Sequence, residues 1–136
     1  MKKQLLETLK KATHYTLAVA AMMPEKEYTF KPGGAAWNFA ELLNHTGYGL
    51  QWWKTNYLLG KETAWEPPVL QQTRSEVLNY LTQVFQDLED TCAQLSMNTE
   101  AEVYGFHATL DHLTHHRGQA VLYLRCQGHT PPEYIY

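Results

Sequence analysis

Residues 3 to 21 place Leu5, Leu9, Ala12, Thr16 and Ala20 on one helical face and turn Lys3, Lys10, Lys11 and His14 away from it. Pro24 and the run KPGG at 31–34 interrupt this pattern. It resumes at Asn38, where Glu41 three residues later has capping-box spacing, and predicts a second helix over about 38–58 that Gly60 ends. The stretch KETAWEPPVLQQ carries two prolines and no periodicity, so it reads as an extended connection. A third helix starts at Thr73, with Glu76 as its capping partner. Its stripe of Leu78, Leu81, Phe85, Leu88, Cys92 and Leu95 is spaced 3, 4, 3, 4, 3, the seam of a bundle helix. The fourth helix is expected near Phe106, after Gly105, and ends before Gly128, with Pro131 and Pro132 barring continuation. Thr99 with Glu102 offers an earlier start.

Four helices of roughly 20 residues with one apolar stripe each predict an all-α four-helix bundle, a single domain over residues 1–136. The connection 61–72 can span ~40 Å when extended, whereas a 20-residue helix is only ~30 Å long. Helices two and three can therefore run parallel, which leaves an up-down-down-up order open beside the simple up-down one.

Composition narrows the partners. Lys and Arg total 11 against 14 acidic residues, a formal charge of -3, and four N-terminal lysines are too few for a basic track, so nucleic acid is not an expected partner. No apolar run reaches the ~20 residues needed to span a bilayer, and the start MKKQLLETLKKATHY scatters charge where a signal peptide is apolar. A cytoplasmic protein is expected, with no membrane partner. Cys92 and Cys126 both fall on apolar helical patterns and are expected to be reduced, buried thiols.

Candidate chemistry concentrates in DHLTHHRGQAVLYLRCQGHTPP, residues 111–132. With His112 at 0° on a helical wheel, His116 falls at about 40°, Tyr123 at about 20° and Gln119 at about -20°, while the apolar stripe (Phe106, Leu110, Leu113, Ala120, Leu124) centres near 110°. His112 and His116 thus flank the core, and His115 is turned toward solvent. His45 flanks the stripe of helix two (Phe39, Leu42, Leu50, Trp53, Tyr57) in the same way, with Glu41, Gly49, Trp52 and Asn56 around it. Two histidines at i and i+4 can ligate one divalent ion, and a third imidazole from a neighbouring helix leaves coordination positions open. In a chain with 7 histidines the same spacing also arises on an ordinary polar face. The metalloprotease helix motif and the Glu-x-x-His pairs of di-iron bundles are absent. Trp37, Trp52, Trp53, Tyr48 and Tyr57 are expected to pack in core and interface. Gly118 marks either a close helix approach or simple tolerance, and Arg117 is placed to pair with a buried carboxylate or a helix end.

NHTGYGLQWW in the second helix, followed about 70 residues later by DHLTHHRGQAVLYLRCQGHTPPEY, resembles the DinB-like (DinB/YfiT) superfamily of small bacterial proteins. H-x-x-x-H-R-G-Q followed by Q-G-H-T-P-P carries most of the likeness. The resemblance implies an up-down-down-up bundle, a homodimer, and one divalent ion, zinc or nickel, held by His45, His112 and His116. It further implies a metal-dependent enzyme, a thiol S-transferase or a hydrolase, using a low-molecular-weight thiol as cofactor. Tyr48, Trp52 and Tyr123 would line the approach of a small-molecule substrate, and Glu41, one turn from His45, is the candidate general base. The alternative expectation is a non-catalytic stress-response module that captures a metal or small ligand; a plain structural bundle with solvated histidines is the third.

Overall fold

The computed structural model describes residues 1–134. The first helix, α1 (Lys2–Met22), buries Leu5, Leu9, Tyr15, Thr16, Val19 and Ala20, and Thr16 returns its hydroxyl to the Ala12 carbonyl so that its polar group is satisfied inside. Extended backbone at Met23 ends it. A 3-10 turn at Glu25–Glu27 follows. Helix α2 (Phe39–Trp53) opens on the capping box read from the sequence: the Asn38 side chain accepts from the Glu41 N–H, and the Glu41 carboxylate accepts from the Asn38 N–H.

The second helix does not run unbroken to residue 58. From Lys54 to Leu58 it widens into a π-helical turn, in which the Leu59 N–H donates to the Lys54 carbonyl five residues back. Gly60, at φ 66°, then closes it. The widened turn lies against Gly105, where an added Cβ would stand 2.6 Å from the Tyr57 carbonyl carbon and 2.7 Å from the Leu58 Cα. The fourth helix accordingly starts earlier than Phe106. Helix α4 (Glu100–Cys126) is capped by Thr99 and Glu102, and Gly105 lies inside it as the point of closest approach, not as a break before it. The cap wins because the Glu102 carboxylate gathers the Asn98 and Thr99 N–H groups and the Ser96 hydroxyl. Helix α3 (Arg74–Gln94) starts on the Thr73–Glu76 capping box and buries Leu81, Phe85, Leu88 and Cys92, with Leu78 and Leu95 half-buried.

Pairwise contacts fix the helix directions. Lys2 at the start of α1 donates to the Ala93 and Leu95 carbonyls at the end of α3, while Arg74 at the start of α3 reaches the Ala21 carbonyl, so α1 and α3 are antiparallel. Tyr80 meets Gln51 and Lys54 pairs with Asp87, so α2 and α3 are parallel. His45 faces His116 while Gly105 faces Tyr57, so α2 and α4 are antiparallel. The order is up-down-down-up.

The connection between α2 and α3 explains this. It runs back along α2: Thr63 is clipped to Asn56, the Glu66 N–H donates to the Tyr48 hydroxyl, and Gln71 exchanges two hydrogen bonds with the Asn44 amide. The chain therefore reaches the start of α2 again before α3 begins. No helix of the described residues is long and apolar enough to cross a membrane. Of the two thiols, Cys92 is buried as expected, but Cys126 in the last turn of α4 is exposed. Arg117 is buried without a carboxylate partner among the described residues; its guanidinium lies 4.9 Å from the Tyr15 ring centre and 5.6 Å from that of Tyr134.

Candidate metal centre

Helix α2 contributes His45 and helix α4 contributes His112 and His116, one turn apart. Ligand nitrogens of the three lie within 4.8 Å of one another. The closest pair is His45 Nε2 and His116 Nε2, 3.0 Å apart. His116 is oriented from behind, its Nδ1–H donating to Gln119 Oε1 at 2.8 Å, which leaves the Nε2 lone pair facing His45. His112 is held by stacking: the Trp53 indole lies nearly flat on it, centres 4.2 Å apart at 16°. Its Nδ1 is buried and has no hydrogen-bond partner among the described residues.

Space for that imidazole comes from Gly49. A Cβ there would stand 2.5 Å from His112 Nδ1, so α2 can face the ring only without a side chain at this position. Trp37, ahead of α2, packs on His45 with centres 4.4 Å apart, and Trp65 of the connection packs on it at 5.4 Å.

Burial among these rings, then the neighbouring imidazoles, pushes His45 and His112 down to about 4. His116 moves the same way, again mainly through burial, although its bond to Gln119 opposes the shift. All three are thus neutral near pH 7, the state in which imidazole donates a lone pair to a metal. Nitrogens sharing one tetrahedral ion at about 2.0–2.1 Å stand roughly 3.3 Å apart. The 3.0 Å pair is close to that spacing, and His112, whose Nδ1 has no hydrogen-bond partner among the described residues, brings a third ligand nitrogen within 4.8 Å of both.

Beside His45 opens a cavity of about 350 Å³ lined by Trp37, Glu41, Tyr48, Trp65, Leu70 and Tyr80, among others. Tyr48 therefore stands in its wall. Trp52 lies elsewhere, in a second pocket with Asn56 and Thr63, where its indole N–H donates to the Thr63 carbonyl. Tyr123 is buried and donates its hydroxyl to the Trp37 carbonyl, which steadies the segment carrying Trp37. Glu41 lines the cavity while one of its oxygens, Oε2, closes the capping box. His115 is exposed, as its place on the wheel predicts.

The DinB superfamily profile matches residues 8–120 of the chain. The chain belongs to the DinB superfamily. No curated protein matches it. The DinB match spans α2 and the first twenty-one residues of α4, and so contains all three histidines. Sequence reasoning singled out those imidazoles but missed what supports them in this DinB chain: Gly49, Trp53, Trp65 and the anchoring role of Gln119. Gln119 carried a signal, since it lies three residues after His116 on the same line of the wheel. Trp65 carried none, because its position depends on how an aperiodic connection folds back.

Proposed function

We propose that this DinB-superfamily protein is a cytoplasmic, metal-dependent enzyme that transfers a group between a low-molecular-weight thiol and a small electrophile. The observation that carries the reading is the convergence of three imidazoles, His45, His112 and His116, of which His45 stands in the wall of an open cavity. A divalent ion such as zinc or nickel, held there by three protein ligands, supplies Lewis acidity at an open position and keeps a thiol or water ligand in its deprotonated, nucleophilic form.

The chain's own residues account for the rest. Gln119 fixes the His116 tautomer, Trp53 and Gly49 set the His112 ring, and Trp37 and Trp65 shield His45 from water. Tyr48 and Tyr80 form a mostly apolar wall against which a small substrate packs. The test is conjugation of a chromogenic electrophile to cysteamine, mycothiol, bacillithiol or glutathione by metal-loaded protein. Activity lost on chelation and restored by metal supports the enzyme.

One observation favours a non-catalytic ligand-binding module instead. Among the described residues Glu41 is the sole carboxylate in the cavity wall, and one of its oxygens is committed to the α2 cap. Tight binding of a small ligand without product would favour that module. We further propose a homodimer formed through the outer face of α4, where Leu122 is 57% exposed and Gly118 has nothing within 4 Å of an added Cβ. A monomeric mass at micromolar concentration would remove it.

A further inference from the structure

The cavity beside His45 has an unusual charge pattern for a thiol enzyme. Its wall includes Trp37, Trp65, Tyr48 and Tyr80, with Pro67, Pro68 and Leu70 on the apolar side and Asn44 and His45 as neutral polar groups, and among the described residues its one charged side chain is Glu41. No lysine or arginine among the described residues lines it. Thiols and electrophiles carrying several carboxylates are recognised by basic side chains, which offer paired donors to an anion. Here an anionic group entering the cavity would meet the Glu41 carboxylate with no protein cation to offset it.

The same set suits a positive charge. Indole and phenol faces attract cations, most strongly where water is excluded, and indole is the best of them. Trp37 and Trp65 are each about two-fifths exposed (43% and 41%), so they present ring surface at the cavity mouth instead of being consumed in the core. Trp65 also meets Tyr48 edge to face, centres 4.6 Å apart, which holds two of the rings in one wall. Glu41 Oε2 is fixed by the Asn38 N–H, and Oε1 takes no hydrogen bond from the described residues. The carboxylate is thus positioned by its own helix start with one oxygen left to offer.

We propose that this cavity is a binding site for small organic ammonium compounds, the cationic group seated among Trp37, Trp65 and Tyr48 and facing Glu41. The assignment rests on the preceding reading only in taking the cavity to be the substrate's. Recognition of the ammonium needs no metal. Glu41 precedes His45 by one helical turn, about 6 Å along α2. A ligand with an ammonium at one end and a soft donor at the other would span from the carboxylate to the histidine cluster. That points to amine-bearing thiols or electrophiles as the substrate class.

The probes are choline, its uncharged isostere 3,3-dimethylbutan-1-ol, and the anion 3,3-dimethylbutanoate. Each is titrated calorimetrically into chelator-stripped and metal-loaded protein. Choline is expected to bind the stripped protein about tenfold more tightly than the alcohol, with the anion weakest. Glu41→Gln, which keeps an acceptor for the capping box, should erase most of that preference, and Trp65→Leu should weaken choline severalfold without unfolding the chain. Choline binding that is absent at millimolar concentration, equal to that of the alcohol, or unchanged in its preference by Glu41→Gln would overturn the assignment. His112→Ala separates the two claims, because its ring is not in the cavity wall. Loss of metal with the choline preference intact supports both. Failure of wild-type protein to bind metal while the preference persists removes only the metal reading.

Discussion

Gly49 and His112 occupy one space: a side chain on the glycine would have to begin 2.5 Å from the imidazole Nδ1. The atoms in conflict belong to the far end of a side chain that can rotate, so Gly49→Ala is expected to leave the bundle folded, helped by the better helix propensity of alanine. The ring would turn away from His45 and His116. We expect metal affinity to fall at least about tenfold, measured by competition with a chromogenic chelator, with a circular dichroism spectrum like wild type.

Gly105 presents the opposite case. An added Cβ there meets backbone, the Tyr57 carbonyl and the Leu58 Cα, which cannot rotate aside. Gly105→Ala should therefore cost stability, about 1–3 kcal/mol or more, by forcing α4 away from the π-helical turn. Gly118→Ala, whose added Cβ meets nothing within 4 Å among the described residues of one chain, should instead gain about 0.5–1 kcal/mol in the monomer. Urea unfolding of the three proteins side by side checks both signs.

These glycines show what the sequence did and did not make legible. The α3 stripe and all three capping boxes were readable because they are local, set by spacing within one helix. The histidines were readable for the same reason: His112 and His116 are one turn apart, and their wheel positions put them at the core edge. Choosing between Phe106 and Thr99 as the start of α4 required knowing that Gly105 faces the α2 terminus. The widening at Lys54–Leu58 and the return of Trp65 onto His45 likewise arise between elements, where periodicity carries no information. Cys126 was expected to be buried yet lies exposed, because it falls near -40° on the α4 wheel, about 150° from the apolar stripe, while Tyr123 and Leu124 beside it are buried.

The cysteines differ in reactivity accordingly. Burial pushes the Cys92 thiol up to about 11, whereas Cys126 is open to solvent. Iodoacetamide at neutral pH should add one label to the folded protein, at Cys126, and a second only in denaturant. Mass spectrometry of the digested protein reads the sites; early labelling of Cys92 would contradict its place in the core.

Acid stability should report the α4 cap. The Ser96 hydroxyl, with help from the Thr99 and Asn98 N–H groups, holds the Glu102 carboxyl down at about 2, below its ordinary 4.5. A carboxyl with a depressed folded-state value stabilises fully above its unfolded value and loses that contribution as the pH falls through the folded one. The stability difference between wild type and Glu102→Gln should therefore be complete above pH 4.5, shrink below it, and vanish near pH 2. Glu76 in the α3 cap is shifted in the same direction, chiefly by the Thr73 N–H.

His45, His112 and His116 are expected to share one ion. The direct measurement is elemental analysis of protein prepared without a histidine tag, beside His45→Ala, His112→Ala and His116→Ala made identically. One equivalent of a divalent metal in the wild type, lost in each variant while the helical spectrum is retained, is the predicted result. Protein that binds no stoichiometric metal after incubation with zinc or nickel, or variants that keep a full equivalent, would contradict it.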